Sequence, residues 1–233
     1  MEILLIPSRV AMRYRDWIHE LSEAERKFAP AELYLAGDQS LLWEGRRVSV
    51  VGTRKPSAYG VRRAESLVQI LVDQKITVCS GLALGIDTIA HRTALASGGR
   101  TIAVLPTPLE NISPKQNQRL FEEIVEKHLA VSEFGVDALV NKGNYVRRNR
   151  TMALLSDATI VIEASESSGT QSQAWEAIRL NRRLFLLESL VREANIQWVQ
   201  KVMDYGAEVL CKDNVFELLD SIECTQFGVE HGF

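Results

Sequence analysis

From residue 48 onward, short apolar runs alternate with longer amphipathic stretches. The runs at 48–51, 77–79, 101–105, 129–132, 158–163, 184–187 and 208–210 are near-continuously apolar or β-branched. That pattern predicts strands buried on both faces rather than strands with one wet side. Between them, helical periodicity predicts helices over 60–74, 87–97, 116–128, 147–155, 170–180, 195–205 and 215–222. A strand followed by a helix, repeated, gives parallel pairing with helices on both faces. The expected class is therefore α/β, an extended Rossmann-like parallel sheet.

Upstream, Trp17, Ile18 and Leu21 fall at helical spacing within 10–28, and Pro30 stops the run. This predicts a short N-terminal helical extension. The runs 33–35 and 41–43, separated by Gly37-Asp38, resemble a hairpin laid on the sheet edge. The expected division is an extension over 1–30, one Rossmann-like domain over 31–222, and a loose tail over 223–233.

The chain has 233 residues, 46% hydrophobic and 24% charged, enough for one large domain with a full core. Cys79, Cys211 and Cys224 show neither paired spacing nor a metal-ligand pattern, so no disulfide framework, metal site or cofactor is expected. No run approaches the roughly 20 apolar residues of a membrane-spanning helix, and residues 1–3 lack a basic leader. A reducing cytoplasm fits, with no membrane partner.

The net charge of −3 argues against nucleic acid only if charge is evenly spread. It is not. Arg46, Arg47, Arg54, Lys55, Arg62 and Arg63 fall in one window without an acid, and Lys142, Arg147, Arg148 and Arg150 in another, ten of the 27 basic residues. An acidic body with local basic stretches points to an anionic partner at a defined place.

Four strand ends bear unusual residues: Gly52-Thr53-Arg54-Lys55, Ser80-Gly81, Glu163 leading to Ser168-Gly169-Thr170, and the loop leading to Arg148-Asn149-Arg150. In a parallel sheet all four emerge on one edge, where free amides and helix dipoles favour an anion. Each glycine alone could be an ordinary turn; together they suggest a phosphate-binding ledge. A P-loop is missing, and so is the dinucleotide fingerprint. Asp87 and His91, at i and i+4, could form an acid–base pair or half a metal site, but a helix cap and a buried hydrogen-bonded histidine explain them as well. Glu163 could orient a ribose or cap the next corner. Tyr59 and Tyr145 flank the basic windows, as single-strand stacking requires, or simply pack. No catalytic residue is identified.

Further motifs fall in order along the chain: Val51-Gly52-Thr53-Arg54-Lys55-Pro56, Ser80-Gly81-Leu82-Ala83 with Gly85-Ile86-Asp87 and Ala90-His91, Ser132-Glu133-Phe134, Arg148-Asn149-Arg150, and Glu163-Ala164 with Ser168-Gly169-Thr170. Over about 33–187 the sequence resembles the DNA-processing protein A (DprA/Smf) family. The resemblance implies a dimeric, non-catalytic protein that binds single-stranded DNA without base specificity and passes it to a RecA-type recombinase in DNA recombination and transformation. It places phosphates on Arg54, Lys55, Gly81, Arg148 and Arg150, with Asn149, Ser168 and Gly169 shaping the pocket. Tyr145-Val146 stands where members usually have Phe-Pro, and Glu188-Ser189 where they have Pro-Gly. The winged helix and larger helical domain of many members find no matching stretch. A divergent paralogue serving phage defence would keep the ledge and change the partner. The competing class is a nucleotide-derived ligand sensor or a nucleotide-processing enzyme such as an N-glycosidase, for which the Gly169-Thr170 corner lacks the usual glycines and nearby acid.

Overall fold

The computed structural model describes residues 9–13, 22–166, 168–193 and 196–224. Its centre is a nine-stranded sheet in the order β1-β2-β6-β5-β4-β3-β7-β8-β9. These strands are β1 (Arg9–Arg13), β2 (Glu32–Gly37), β3 (Arg47–Val51), β4 (Thr77–Ser80), β5 (Thr101–Leu105), β6 (Leu129–Ser132), β7 (Ala158–Val161), β8 (Arg183–Leu187) and β9 (Glu208–Leu210). From β6 through β9 every neighbour is parallel; β2 pairs antiparallel with both β6 and β1. The strand order turns back at β3, which has β4 on one side and β7 on the other. That switch point leaves a crevice beyond the strands' carboxyl ends.

Successive side chains of the buried strands feed opposite layers. Val48, Val50 and Val78 pack under α2 (Ala58–Asp73) and α3 (Ile86–Ala96), with Ala103, Leu105 and Ala130 continuing that face under α4 (Gln118–Lys127). Val51, Cys79, Ile102, Val104 and Val161 face the other way, against α5 (Lys142–Leu154) and α6 (Thr170–Arg179). A two-sided parallel sheet thus follows from strands with no polar face. Beneath β3, Arg47 and Asp157 form a fully buried ion pair of 3.1 Å. Arg47 also donates to the Leu155 and Leu42 carbonyls, so this buried charge is well supplied with partners.

Among the described residues before Pro30, the expected helix over 10–28 is seen at its C-terminal end and replaced by a strand at its start. Residues 9–13 are an antiparallel edge strand on β2, whose free edge supplies the backbone hydrogen bonds, and Met12 packs against the core. Helix α1 is only Glu23–Phe28, opened by a capping box in which Ser22 and Glu25 exchange bonds. Trp17, Ile18 and Leu21 lie outside the described residues, as do 225–233 of the expected tail. The expected hairpin at 33–43 is absent too: Leu41 and Leu42 sit in a 3-10 turn capped by Asp38, while β2 is paired on both sides by other strands. Helix α5 begins five residues earlier than expected because Asn141 caps it by accepting from the Gly143 N–H at 2.8 Å. A short helix, α7 (Glu188–Glu193), was not legible either, and α8 (Gln197–Asp204) and α9 (Val215–Asp220) are the last helices among the described residues.

Candidate nucleic-acid interface

After β3 the backbone stays paired for two more residues, the Thr53 N–H donating to the Glu163 carbonyl at 2.7 Å. The loop that follows presents Arg54 and Lys55 and ends at Ser57, the N-cap of α2. The Glu163 carboxylate accepts from the Ser57 N–H at 3.1 and 3.2 Å and from its hydroxyl at 2.8 Å. A carboxylate at a helix N-terminus meets the positive end of the dipole. Glu163 is thus a lock on the Arg54–Lys55 loop, joining the ends of β7 and β3, and its carboxylate points to that cap rather than to a ribose.

The corner after β4 is built differently from the open amide nest that its glycines suggest. Asp87, in the first turn of α3, accepts from the Gly81 N–H at 3.1 Å and the Ala83 N–H at 3.4 Å. An internal carboxylate therefore occupies the amides that an external anion would need. Gly85 has φ +81, and a Cβ there would lie 2.3 Å from the Thr53 carbonyl oxygen. Only glycine lets this corner press against the Arg54 loop. Ser80 is fully buried, its hydroxyl donating to the Val50 carbonyl.

Arg148 lies over that corner. It is 6% exposed; Nε donates to Asn149 Oδ1 at 3.0 Å and Nη1 to the Val104 carbonyl at 3.2 Å. A Cβ on Gly81 would fall 1.4 Å from Nη1, so the guanidinium uses the space a side chain would fill. Burial pulls the Arg148 pKa down and pushes the Asp87 carboxyl up, while the opposite charge of each partner resists both shifts. On the opposing wall Asn149 Nδ2 donates to the Gly169 carbonyl at 3.4 Å, and the Ser168 hydroxyl accepts from the Thr170 N–H at 3.2 Å at the start of α6.

Together these corners enclose a cleft of about 460 Å³ at the switch point. Gly52, Thr53, Arg54 and Lys55 form one rim, Ser168, Gly169 and Thr170 the other, and Asp87, Arg148 and Asn149 the floor. Arg54 stands over the Tyr145 ring at 5.7 Å, and beyond that pair lies a smaller recess that reaches Gly81, Pro106 and Pro114.

Several expected site residues lie elsewhere. Arg150 faces away, paired with Glu176 at 3.1 Å and stacked on Phe28 at 4.6 Å. Tyr59 bonds and stacks with Arg63 in a separate groove beside Phe216. His91 is fully buried, its Nδ1 bonded to the Thr101 hydroxyl at 2.7 Å. That hydroxyl spends its proton on the Val78 carbonyl, so Nδ1 is the donor and the ring is neutral; burial lowers its pKa to about 3. Conversely, Met152, Ser165 and Gln173 line the cleft without having been singled out. Gln173 stands one helical turn after Thr170, and that spacing was the available signal.

Such a sheet, with cations gathered at its switch point, defines a Rossmann-like α/β protein with an anion-compatible crevice. The chain belongs to the DNA recombination-mediator protein A family, whose sequence model matches residues 9–221. It is 41% identical to Protein Smf of Synechocystis over 75% of its own length, and spans 44% of that relative. DNA processing protein A of Streptococcus pneumoniae superposes with a TM-score of 0.80 at 30% identity, covering 94% of this chain and 76% of that one. The Helicobacter pylori protein, described for its single-stranded DNA binding mode, superposes with a TM-score of 0.75 at 29% identity, covering 89% and 96%.

Proposed function

We propose that this protein binds single-stranded DNA without base specificity, as a non-catalytic recombination mediator that needs no cofactor. The observation that carries this is the convergence of Arg54, Lys55 and Arg148 on one cleft beside Tyr145. Cations follow a phosphate backbone while an aromatic face accepts any base, which gives affinity without sequence readout. Gly52, Thr53, Asn149, Ser168, Gly169 and Thr170 supply neutral polar contacts; Gly81 makes room for Arg148. Binding rather than hydrolysis is supported by the carboxylates. Among the described residues lining the cleft, Asp87 alone is acidic, and it is engaged with two amides.

The finer assignments follow the family. The binding domain is residues 31–222, the protein acts in the cytoplasm as a homodimer, and its protein partner is a RecA-type recombinase or a defence-system component. Exposed Tyr59 and Phe216, flanking one groove of about 560 Å³, support a protein-contacting face. Among the described residues no helix is long and apolar enough to cross a membrane. Fluorescence anisotropy with labelled oligo-dT against a duplex of equal length tests the central proposal. Preference for the single strand, weakened by Arg54→Ala and by Lys55→Ala, supports it; equal binding of both, or of neither, refutes it.

A further inference from the structure

We propose that Asp87 sets the affinity of this cleft by competing with the incoming strand for Arg148, so that seating a phosphate there takes up a proton at Asp87. The inference rests on the single-strand reading above and adds a residue that repels the ligand. Asp87 is 5% exposed, lines the cleft floor, and is fixed by the Gly81 and Ala83 amides. Arg148 is equally fixed, by Asn149 and the Val104 carbonyl. Neither can swing away when a phosphate arrives. The phosphate therefore gains Arg148 and meets the Asp87 charge at the same largely buried cleft floor. Two anions sharing one cation in such a place favour protonation of whichever can take the proton. A phosphodiester cannot, at these pH values; a buried carboxylate can.

The other groups around Asp87 do not supply this effect. The β3 loop contributes Arg54 and Lys55, which carry no carboxylate, α5 contributes Tyr145, and α6 the uncharged Thr170 and Gln173. His91, one turn along α3, is neutral and bonded to Thr101. Burial already raises the Asp87 carboxyl, which brings its titration toward the working range.

The test is oligo-dT affinity at fixed ionic strength from about pH 8 down to about pH 5, for the natural protein and for Asp87→Asn. Oligo-dT has no group titrating in that range. The natural protein should bind more tightly as pH falls, by at most about tenfold per unit for one proton. Asp87→Asn keeps an oxygen for the two amides and removes the charge, so it should bind more tightly at pH 8 and show a flattened profile. A flat profile in the natural protein, or an unchanged slope in Asp87→Asn, overturns the inference while leaving single-strand binding intact. Should the variant not fold, calorimetry of the natural protein in two buffers of different ionisation heat decides alone: net proton uptake supports the inference and none refutes it. Absence of oligo-dT binding at every pH would remove the single-strand reading, and this inference with it.

Discussion

His91 and Gly81 show how single residues here hold the site through their neighbours. A histidine kept neutral in the fold, with a pKa of about 3, takes a proton in the unfolded chain well before it does in the native one. Stability should therefore be complete above about pH 6.5 and fall by roughly 1.4 kcal/mol per unit as pH drops toward 3. Asp87 acts in the opposite sense: its raised pKa means that acid favours the folded form, which softens the lower part of the decline. Urea denaturation across this range, repeated with His91→Gln, checks the assignment; the variant should lose most of the slope. Gly81→Ala puts a methyl group on the Arg148 guanidinium without straining the backbone. Displacing Arg148 costs one charge-assisted contact, so oligo-dT affinity should fall by about tenfold or more, the equivalent of ~1.5 kcal/mol. Unchanged binding by Gly81→Ala would show that Arg148 takes no part.

At the scale of elements, the apolar runs announced the seven parallel strands because a strand buried on both faces has no solvent-facing polar side to break its apolar and β-branched run. What the pattern missed lay where capping, not burial, decides. Asn141 opens a helix that hydrophobic spacing placed too late, and Ser22-x-x-Glu25 opens one at a point the spacing does not mark. β1 formed because β2 offered a free edge, a tertiary fact with no local signature. The four corners were legible as positions but not as a circuit. Glycine spacing told where the turns fall, yet not that Glu163 would cap a helix distant in sequence, or that Asp87 would fill its own corner's amides. The Glu163 cap makes a distinct prediction. Glu163→Ala removes three hydrogen bonds and a dipole contact at Ser57, so the fold should lose about 1 kcal/mol. Because the same cap fixes the Arg54 loop, strand affinity should drop as well, measured by anisotropy below the variant's melting transition. A stability loss with unaltered affinity would mean that loop order is irrelevant to binding.

For the whole molecule, the concentration of basic residues in two windows pointed to an anionic partner, but the fold disperses most of them. Arg47 is consumed by Asp157 beneath the sheet, and Arg46 binds the Leu219 carbonyl near Asp220. Arg147 and Arg150 pair with Glu133 and Glu176, and Arg62 and Arg63 line the separate groove beside Phe216. Arg54, Lys55 and Arg148 are left in the cleft, on a molecule whose formal charge is −3. Counterion release then sets a limit. A single strand contributes a log–log salt slope of about −0.7 per neutralised phosphate, so three contacts give about −2, far shallower than ten cations would. Removing Arg54 should flatten the slope by about 0.7, whereas charge reversal at Arg62 should leave it unchanged. A slope steeper than about −4 would mean that cations outside the cleft join the track, and would relocate the binding surface from this crevice to a broader face of the molecule.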